Sequence, residues 1–322
     1  MRLRSAAIAL LLALALGVGA VTAYRKQGFS QQAQAARQLL QKRREAWDGL
    51  KASISREIQD FPGETGVVIE DLETGWRFVH QEGKEFPAAS VVKIPMMTAC
   101  YQAVRERRLD LTSPVTLRGA DKVLGSGVLK GMPNGSVVST WQLVGWMVTQ
   151  SDNTATNLLI DRLGMDYFNR SFGRLGLRGT RLSRKMMDFS SRARGIENYT
   201  TAEDVAAVLQ KLYRSTLGDR AASAASLELL KHQKLKDRIP ALLPPEVVVA
   251  HKTGLERYVC HDAGIVYTEN GDYLISVLTQ RIGKGGSQLA KKFIARLARH
   301  VYQYEMERPT AKSPSTAQNR QG

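Results

Sequence analysis

Strand-like segments at both ends of the chain limit the folds that this sequence can adopt. Near the N-terminus, residues 65–72 alternate in polarity and are β-branched, a short turn follows, and residues 76–80 return as a second strand. Near the C-terminus, residues 246–253, 260–267 and 273–280 read as three further strands. We therefore predict one antiparallel sheet of about five strands, drawn from both chain ends.

The region between the two groups of strands, residues 90–230, has a helical pattern. Residues 288–304 form an amphipathic stretch that predicts a closing helix. The simplest assembly is an α+β fold with α/β/α layers, in which an all-helical lobe is inserted between the strands. A cleft between the sheet and this lobe is the expected place for a site.

The N-terminal segment, residues 1–27, predicts export. A short basic start precedes an unbroken apolar run from Ala6 to Ala23, which ends in Val21-Thr22-Ala23, small residues that suit cleavage. This pattern is typical of a secretory signal peptide. The alternative is an uncleaved membrane anchor, because a run of this length just spans a bilayer. Both interpretations place the mature protein in the periplasm or another extracytoplasmic compartment.

The next residues predict a long helix, and its role has two interpretations. Residues 28–46 are basic and suit a helical stalk, whereas Trp47 begins an apolar periodicity typical of a helix that packs on a domain. We predict a folded domain over residues 47–304. The remaining residues, 305–322, are polar and predict a disordered tail.

The net charge of +16 is unevenly distributed. Residues 1–56 hold ten basic and two acidic residues, so half of the net charge belongs to the N-terminal segment. Nucleic acid is not an expected partner for an exported protein, and an anionic envelope surface fits better. No Cys/His cluster with metal-ligand spacing occurs, so no metal or other cofactor is expected. Cys100 and Cys260 are interpreted as two buried thiols or, alternatively, one disulfide.

Three short motifs carry the candidate chemistry. Ser90 and Lys93 lie three residues apart at a predicted helix start, so a desolvated lysine would sit beside a serine hydroxyl. Ser151-Asp152-Asn153 joins two helices, and Lys252-Thr253-Gly254 ends a predicted buried strand. Each motif alone also suits a structural role: a capping serine beside a solvated lysine, a helix cap, and a strand that ends in a turn.

Together, in this order, the motifs resemble those of class A β-lactamases and penicillin-binding proteins. The resemblance extends to "GVVIEDLETG", "SDNTATNLLIDRLG" and "TRLSRKMMDF", which look like the first hairpin, the central helix and the start of the omega loop of that family. It covers about residues 47–304. It implies the β-lactamase/D,D-peptidase-like fold and a serine acyl-transfer enzyme.

The resemblance also implies a role for each motif residue. Ser90 would be the acylated nucleophile, and Lys93 its base, directly or through a water. Ser151 would pass a proton to the leaving nitrogen. Asn153 would hold Lys93 and the substrate amide. Lys252 and Thr253, followed by Gly254, would bind the substrate carboxylate. The N–H groups of Ser90 and Leu255 would form the oxyanion hole.

The sequence departs from the class A pattern in the omega loop. Alignment of "TRLSRKMMDFSS" puts Met186 where the deacylating Glu belongs, and a thioether cannot accept a proton. Asp188 is the candidate replacement base, and Glu197 comes later. The alternative for Asp188 is a loop-ordering carboxylate paired to Arg181 or Arg184.

A second departure concerns the arginine that many class A enzymes carry on the strand after Lys-Thr-Gly. Ala263 stands near that position, and Arg257 or His261 are the candidate substitutes. Asp262 is unusual beside a buried strand and is expected to pair with a basic residue.

These observations predict a class A β-lactamase-like serine hydrolase that opens β-lactam amides through a Ser90 acyl-enzyme. The first alternative is a penicillin-binding or D,D-peptidase-like enzyme that deacylates slowly, and the second is a non-catalytic envelope binding module. The expected partner is a small β-lactam or peptidoglycan-like substrate. We further expect a monomer, with membrane association through the N-terminal segment as an open alternative.

Overall fold

The computed structural model describes residues 32–217, 219–283 and 286–309. The chain divides into two units, of which one holds Lys51–Met306 and the other includes the described residues 32–50 and 307–309. The predicted signal segment and most of the predicted tail lie outside the described residues. Within the described ranges, no helix is both long enough and apolar enough to cross a membrane.

The strands of the main sheet and the helices follow the order that the sequence predicted. The helices are α1 (residues 32–59), α2 (Lys93–Arg105), α3 (Thr140–Thr149), α4 (Asn153–Leu163), α5 (Met165–Arg174), α6 (Phe189–Ala193), α7 (Ala202–Tyr213), α8 (Arg220–Lys231) and α9 (Gly286–Glu307). The strands are β1 (Glu64–Asp71), β2 (Arg77–His80), β3 (Phe86–Pro87), β4 (Pro114–Thr116), β5 (Val137–Ser139), β6 (Tyr199–Thr200), β7 (Val249–Glu256), β8 (Val259–Val266) and β9 (Tyr273–Gln280).

The main sheet confirms the predicted fold class. Its five antiparallel strands run in the order β2-β1-β9-β8-β7, so β1 and β9 join the two ends of the domain sequence. Helices α7 and α8 pack on one face. On the other face, the Tyr273 hydroxyl of β9 donates to the Ala298 carbonyl of α9 at 3.0 Å. The helices on both faces bury the sheet and leave β7 at its edge.

The helical lobe is built around α2, whose residues from Lys93 to Cys100 are all buried. Helices α3 and α4 begin at side-chain caps, as the sequence suggests. The Ser139 hydroxyl accepts the Gln142 N–H group, and the Asp152 carboxylate accepts the Ala155 N–H group. These caps satisfy N–H groups that a helix start leaves without partners.

The boundaries of two elements were wrong, and the strand predicted over residues 246–253 begins only at Val249. We predicted that the third motif ends its strand at Thr253, but β7 continues to Glu256, with Gly254 paired to His261 of β8. A glycine inside a paired strand therefore does not end it, and the turn falls at Tyr258, which has a positive φ of 63°. The closing helix also extends past Tyr304 to Glu307, because no residue before Pro309 opposes the helix.

Two short ribbons were not predicted. Strand β3 pairs with β6, and β4 pairs with β5. The first ribbon joins Phe86 and Pro87, just before Ser90, to Tyr199 and Thr200, just before α7. Strands of two residues leave no periodic signal in a sequence. The β3–β6 ribbon nevertheless holds the segment that leads into Ser90.

We predict that Gly264→Ala will destabilise the sheet. A Cβ at Gly264 would lie 2.4 Å from the Ala250 carbonyl oxygen and 2.5 Å from the His251 Cβ. Because backbone atoms must then move, we expect the free energy of unfolding to fall by about 3 kcal/mol in urea denaturation. Gly83→Ala is the control, since a Cβ there meets nothing within 4 Å. Equal stability of the two variants would contradict the packing described for β7 and β8.

Candidate active site

Ser90 lies in a 3-10 turn, Ala89–Val92, that leads directly into α2. Its neighbour Ala89 has a positive φ of 43°. Non-glycine residues rarely adopt this conformation, so the surrounding structure must hold the turn in place. Ser90 itself is half-buried, so its hydroxyl lies at the rim of the core.

His261 of β8 fastens this turn to the sheet. The Thr279 N–H group donates to His261 Nδ1 at 3.0 Å, so the ring proton lies on Nε2 and is donated to the Pro87 carbonyl at 2.8 Å. Burial lowers the pKa of His261 to about 4, so the ring is neutral at physiological pH. The role of His261 is therefore structural, because it holds the carbonyl of Pro87, three residues before Ser90.

Lys93 is completely buried one helical turn after Ser90. Its Nζ donates to the Ser151 carbonyl and to Asn153 Oδ1, both at 2.9 Å, and lies 3.3 Å from Ser151 Oγ. Burial lowers the pKa of Lys93 to about 7, against the opposing charges of Asp152 and Glu256. A large fraction of Lys93 is therefore neutral near pH 7. The neutral amine can therefore act as the base that a serine nucleophile needs.

Ser151 joins the two buried lysines of the motifs. Its Oγ lies 3.1 Å from Lys252 Nζ as well as 3.3 Å from Lys93 Nζ, so one hydroxyl bridges both amines. Burial lowers the pKa of Lys252 well below its usual value, with the charge of Lys93 as the second cause. Ser151 also has a positive φ of 52°, and with this backbone conformation both its hydroxyl and its carbonyl oxygen contact Lys93 Nζ.

Asp152 and a glycine-containing loop hold this arrangement from behind. Besides capping α4, the Asp152 carboxylate accepts the N–H groups of Val128 and Leu129 at 2.7 and 2.9 Å. Gly127 has φ 118°, and a Cβ there would lie 2.2 Å from the Asp152 Cγ. The close approach of this loop requires glycine. The cap interpretation is therefore correct for Asp152, while Ser151 and Asn153 face the lysines.

The third motif lies on β7, directly against the Ser90 turn. Lys252 Nζ also donates to the Thr253 carbonyl at 2.9 Å. A Cβ at Gly254 would lie 3.3 Å from the Ser90 backbone nitrogen and 3.2 Å from the Ala89 Cβ. The strand therefore passes beside the N–H group expected in the oxyanion hole. The side chain of Leu255, the other expected donor of this hole, is 50% exposed.

Comparison with known proteins agrees with this geometry. A sequence profile described as the Beta-lactamase enzyme family matches residues 49–305. The chain belongs to the β-lactamase enzyme family. The prediction of a β-lactamase-like serine hydrolase is thereby confirmed, and so is the fold.

Individual relatives are similar over most of the domain. The extended-spectrum β-lactamase PER-1 of Pseudomonas aeruginosa is 26% identical over 250 residues, which cover 72% of this chain and 79% of the relative. The crystal structure of a β-lactamase from Sphaerobacter thermophilus DSM 20745 is 32% identical with a TM-score of 0.74, covering 82% of this chain and 99% of the other. A leucine-to-glutamate variant of PBP-A, solved as an acyl-enzyme complex with penicillin G, is 28% identical with a TM-score of 0.73. The match covers 80% of this chain and 96% of PBP-A.

The loop from Arg178 to Thr200, called the Met186 loop below, carries Met186 at its centre. Met186 is buried, and its N–H and carbonyl groups both bond to the Asn157 side-chain amide at 2.8 and 3.0 Å. Because Asn157 lies on α4, one turn after Asn153, it holds Met186 close to the motif residues. The backbone of Met186 is therefore fixed to α4 by two hydrogen bonds.

Asp188 is a helix cap in this structure. Its carboxylate accepts the Ser191 N–H group at 2.9 Å and the Ser191 hydroxyl at 2.6 Å, at the start of α6. The Ser191 hydroxyl is the main reason that the pKa of Asp188 is lowered, which weakens it as a base. This favours the loop-ordering interpretation, although neither predicted partner pairs with it. Arg181 pairs with Glu85, and Arg184 pairs with Glu197 and Glu256.

The two candidate substitutes for the strand arginine fit poorly. His261 is neutral and bonded on both nitrogens, as described above. Arg257 is exposed, with its guanidinium 4.8 Å from the centre of the Tyr258 ring. In the strand register Asp262 pairs with Thr253, and Ala263 pairs with Lys252.

Asp262 is paired to a basic residue, as expected. Both of its oxygens contact His251 Nδ1, at 2.9 and 3.0 Å, and both side chains are buried. The buried Arg238 guanidinium lies nearby and donates to Cys260 Sγ at 3.2 Å. Cys260 and Cys100 are both free thiols, in agreement with the first interpretation. No group of three or more His, Cys, Asp or Glu residues in the described ranges is placed to hold a metal.

We predict that acylation of Ser90 depends on pH through Lys93. The neutral amine is the reactive form, so the acylation rate should rise between about pH 6 and pH 8, with a midpoint near the Lys93 pKa of about 7, and then level off. Stopped-flow acylation by a β-lactam over this range measures the midpoint. A rate independent of pH between 6 and 9 would contradict a neutral Lys93 as the base.

Proposed function

We propose that this protein is an exported β-lactamase-like hydrolase that forms an acyl-enzyme on Ser90 with β-lactams and hydrolyses it slowly. The observation that carries the proposal is the Ser151 hydroxyl held between the buried amines of Lys93 and Lys252. The names of its relatives support the substrate class. The PBP-A acyl-enzyme with penicillin G shows that a related fold carries such an adduct.

Acylation follows from the positions of these groups. The neutral Lys93 amine takes the proton of the Ser90 hydroxyl as Oγ bonds to the β-lactam carbonyl carbon. The N–H groups of Ser90 and Leu255 stabilise the charge that develops on the carbonyl oxygen. When the carbon–nitrogen bond breaks, Ser151 protonates the leaving nitrogen and is reprotonated from the Lys93 ammonium. Lys252 and Thr253 hold the substrate carboxylate.

Deacylation is expected to be the slow step. A water must attack the ester carbon while a base takes its proton, and Ser90 Oγ must leave as a hydroxyl. Met186 cannot act as this base, and both Asp188 oxygens are engaged by Ser191. The buried amines of Lys93 and Lys252 are then the remaining basic groups of the motifs. This observation favours the penicillin-binding-like alternative as the second candidate function.

The test is to mix the protein with a chromogenic cephalosporin and follow colour and intact mass together. We expect one rapid equivalent of colour, an adduct on Ser90, and then slow turnover. Ser90→Ala and Lys93→Met should each lower the adduct-forming rate by about a thousandfold or more, because nucleophile or base is lost. Lys122→Met, which removes a lysine bonded to the Met132 carbonyl, is the control. Absence of both colour and adduct with the unmodified protein would refute the proposal.

We predict that Met186→Glu will accelerate acyl-enzyme breakdown. The substitution puts a carboxylate where the family carries its deacylating Glu, and Asn157 should hold the backbone in the same place. Adduct lifetime by mass spectrometry should shorten by about tenfold or more, since a positioned general base contributes at least this much.

Asp188→Asn tests the rival base in the same assay. Asn caps helices as well as Asp does, so the loop should persist and the adduct lifetime should not change. A longer lifetime in Asp188→Asn, with no effect of Met186→Glu, would identify Asp188 as the base and contradict our assignment.

We also propose that residues 1–27 direct the protein out of the cytoplasm, where it meets β-lactams or peptidoglycan-like substrates. The basic start and the apolar run from Ala6 to Ala23 support this. Cell fractionation with the N-terminal mass of the mature chain separates a cleaved signal from a retained anchor. The monomeric state stays a prediction.

A further inference from the structure

Four charged side chains form a closed ring between the Met186 loop and strand β7. Arg184 contacts Glu197 at 2.7 Å and Glu256 at 3.3 Å. Arg192 contacts the same two carboxylates, Glu197 at 3.3 Å and Glu256 at 3.0 Å. Each cation therefore has two anionic neighbours and each anion two cationic neighbours.

Three members of the ring belong to the loop, and one does not. Arg184, Arg192 and Glu197 lie within the Met186 loop, whereas Glu256 is the last residue of β7. Without Glu256, the loop would hold two guanidinium groups around a single carboxylate, with Arg184 only 3% exposed. A buried cation that loses a partner is costly, so the loop depends on the strand for charge balance.

Glu256 stands on the strand face that serves the active site. Side chains alternate along a strand, so Lys252, Gly254 and Glu256 point to the same side. Lys252 bonds to Ser151 on that side, and Gly254 lies against the Ser90 nitrogen. Glu256 therefore lies on the same face of β7 as Lys252 and Gly254, at the end of the strand that contacts the Met186 loop.

We propose that Glu256 is a positioning residue whose carboxylate anchors the Met186 loop to the active-site strand through Arg192 and Arg184. The anchor determines the separation between the loop that carries Met186 and the strand that carries the expected oxyanion-hole donor. The reaction would thereby depend on a carboxylate that touches no substrate atom and belongs to none of the three motifs.

The charge of Glu256 also reaches Lys93. It acts to raise the pKa of Lys93, together with Asp152, and both oppose the effect of burial. Lys252 is the other titratable group beside Lys93, with which it shares Ser151. Loss of the Glu256 charge should therefore lower the pKa of Lys93, which a purely structural role in the loop would not do.

The two sides of the ring differ in exposure, which makes the anchor separable from the loop fold. Arg184 and Glu197 are 3% and 9% exposed, while Arg192 and Glu256 are 30% and 24% exposed. The outer pair of Arg192 and Glu256 is therefore more open to water and salt than the inner pair. Removing the outer pair should loosen the loop from β7 without unfolding the domain.

The experiment is a double-mutant cycle with Glu256→Gln, Arg192→Gln and the double variant. Amide hydrogen exchange of residues 184–197 should accelerate about tenfold in each single variant, and the double variant should be no faster. Glu64→Gln is the matched control, because Glu64 has a similar exposure of 27% and pairs with Lys84 and Arg281 away from the loop. It should leave exchange in the loop unchanged.

The kinetic readout separates electrostatics from structure. The pH midpoint of Ser90 acylation should fall by about half a unit in Glu256→Gln and should not fall in Arg192→Gln. This readout rests on the proposed function, whereas hydrogen exchange does not, so a protein inert toward β-lactams would still test the anchor.

Two results would overturn the inference. One is loop exchange in Glu256→Gln that matches the Glu64→Gln control, and the other is additive effects in the double variant. Should Glu256→Gln fail to fold, Arg192→Gln keeps Arg184 paired with both carboxylates and decides the question by its exchange in the loop.

Discussion

The contact of one hydroxyl, Ser151 Oγ, with two fully buried lysines is the constraint on which the site depends. Moving an ammonium group out of water is costly, and here it happens twice within one hydrogen-bonded group. The cost is offset by fixed hydrogen-bond acceptors and by the lowered pKa of Lys93, so Lys93 is partly uncharged at neutral pH. The chemical use of Lys93 and the strain at Ser151 are two consequences of the same arrangement.

The fold brings these groups together from three distant parts of the chain. Pairing of β1 with β9 closes the sheet, and this leaves β7 at the edge, where it meets the start of α2. His261 and the β3–β6 ribbon hold the turn before Ser90, and Asp152 holds the loop behind Asn153. The helical lobe thus presents Ser90 to the strand that carries Lys252.

Much of this was predictable because local patterns and motif order carry it. The strands alternate, the helices begin at caps, and the order of the three motifs indicates one site. The end of β7 was misjudged because Gly254 was interpreted as a terminator, although it is paired within the strand. The Glu256 ring and the Asp152–Gly127 contact were not predicted, because they join segments distant in sequence through side chains that have no periodic signature.

In the proposed mechanism Lys93 is an uncharged base at neutral pH, and its ionisation can be measured directly. The protein is labelled with ¹³C at lysine Cε, and the Lys93 signal is assigned by its absence in Lys93→Met. We predict that this signal titrates with a midpoint near 7, because burial outweighs the nearby carboxylates. A midpoint near 10.5, the value of a solvated lysine, would contradict the account, since Ser90 would then have no base beside it.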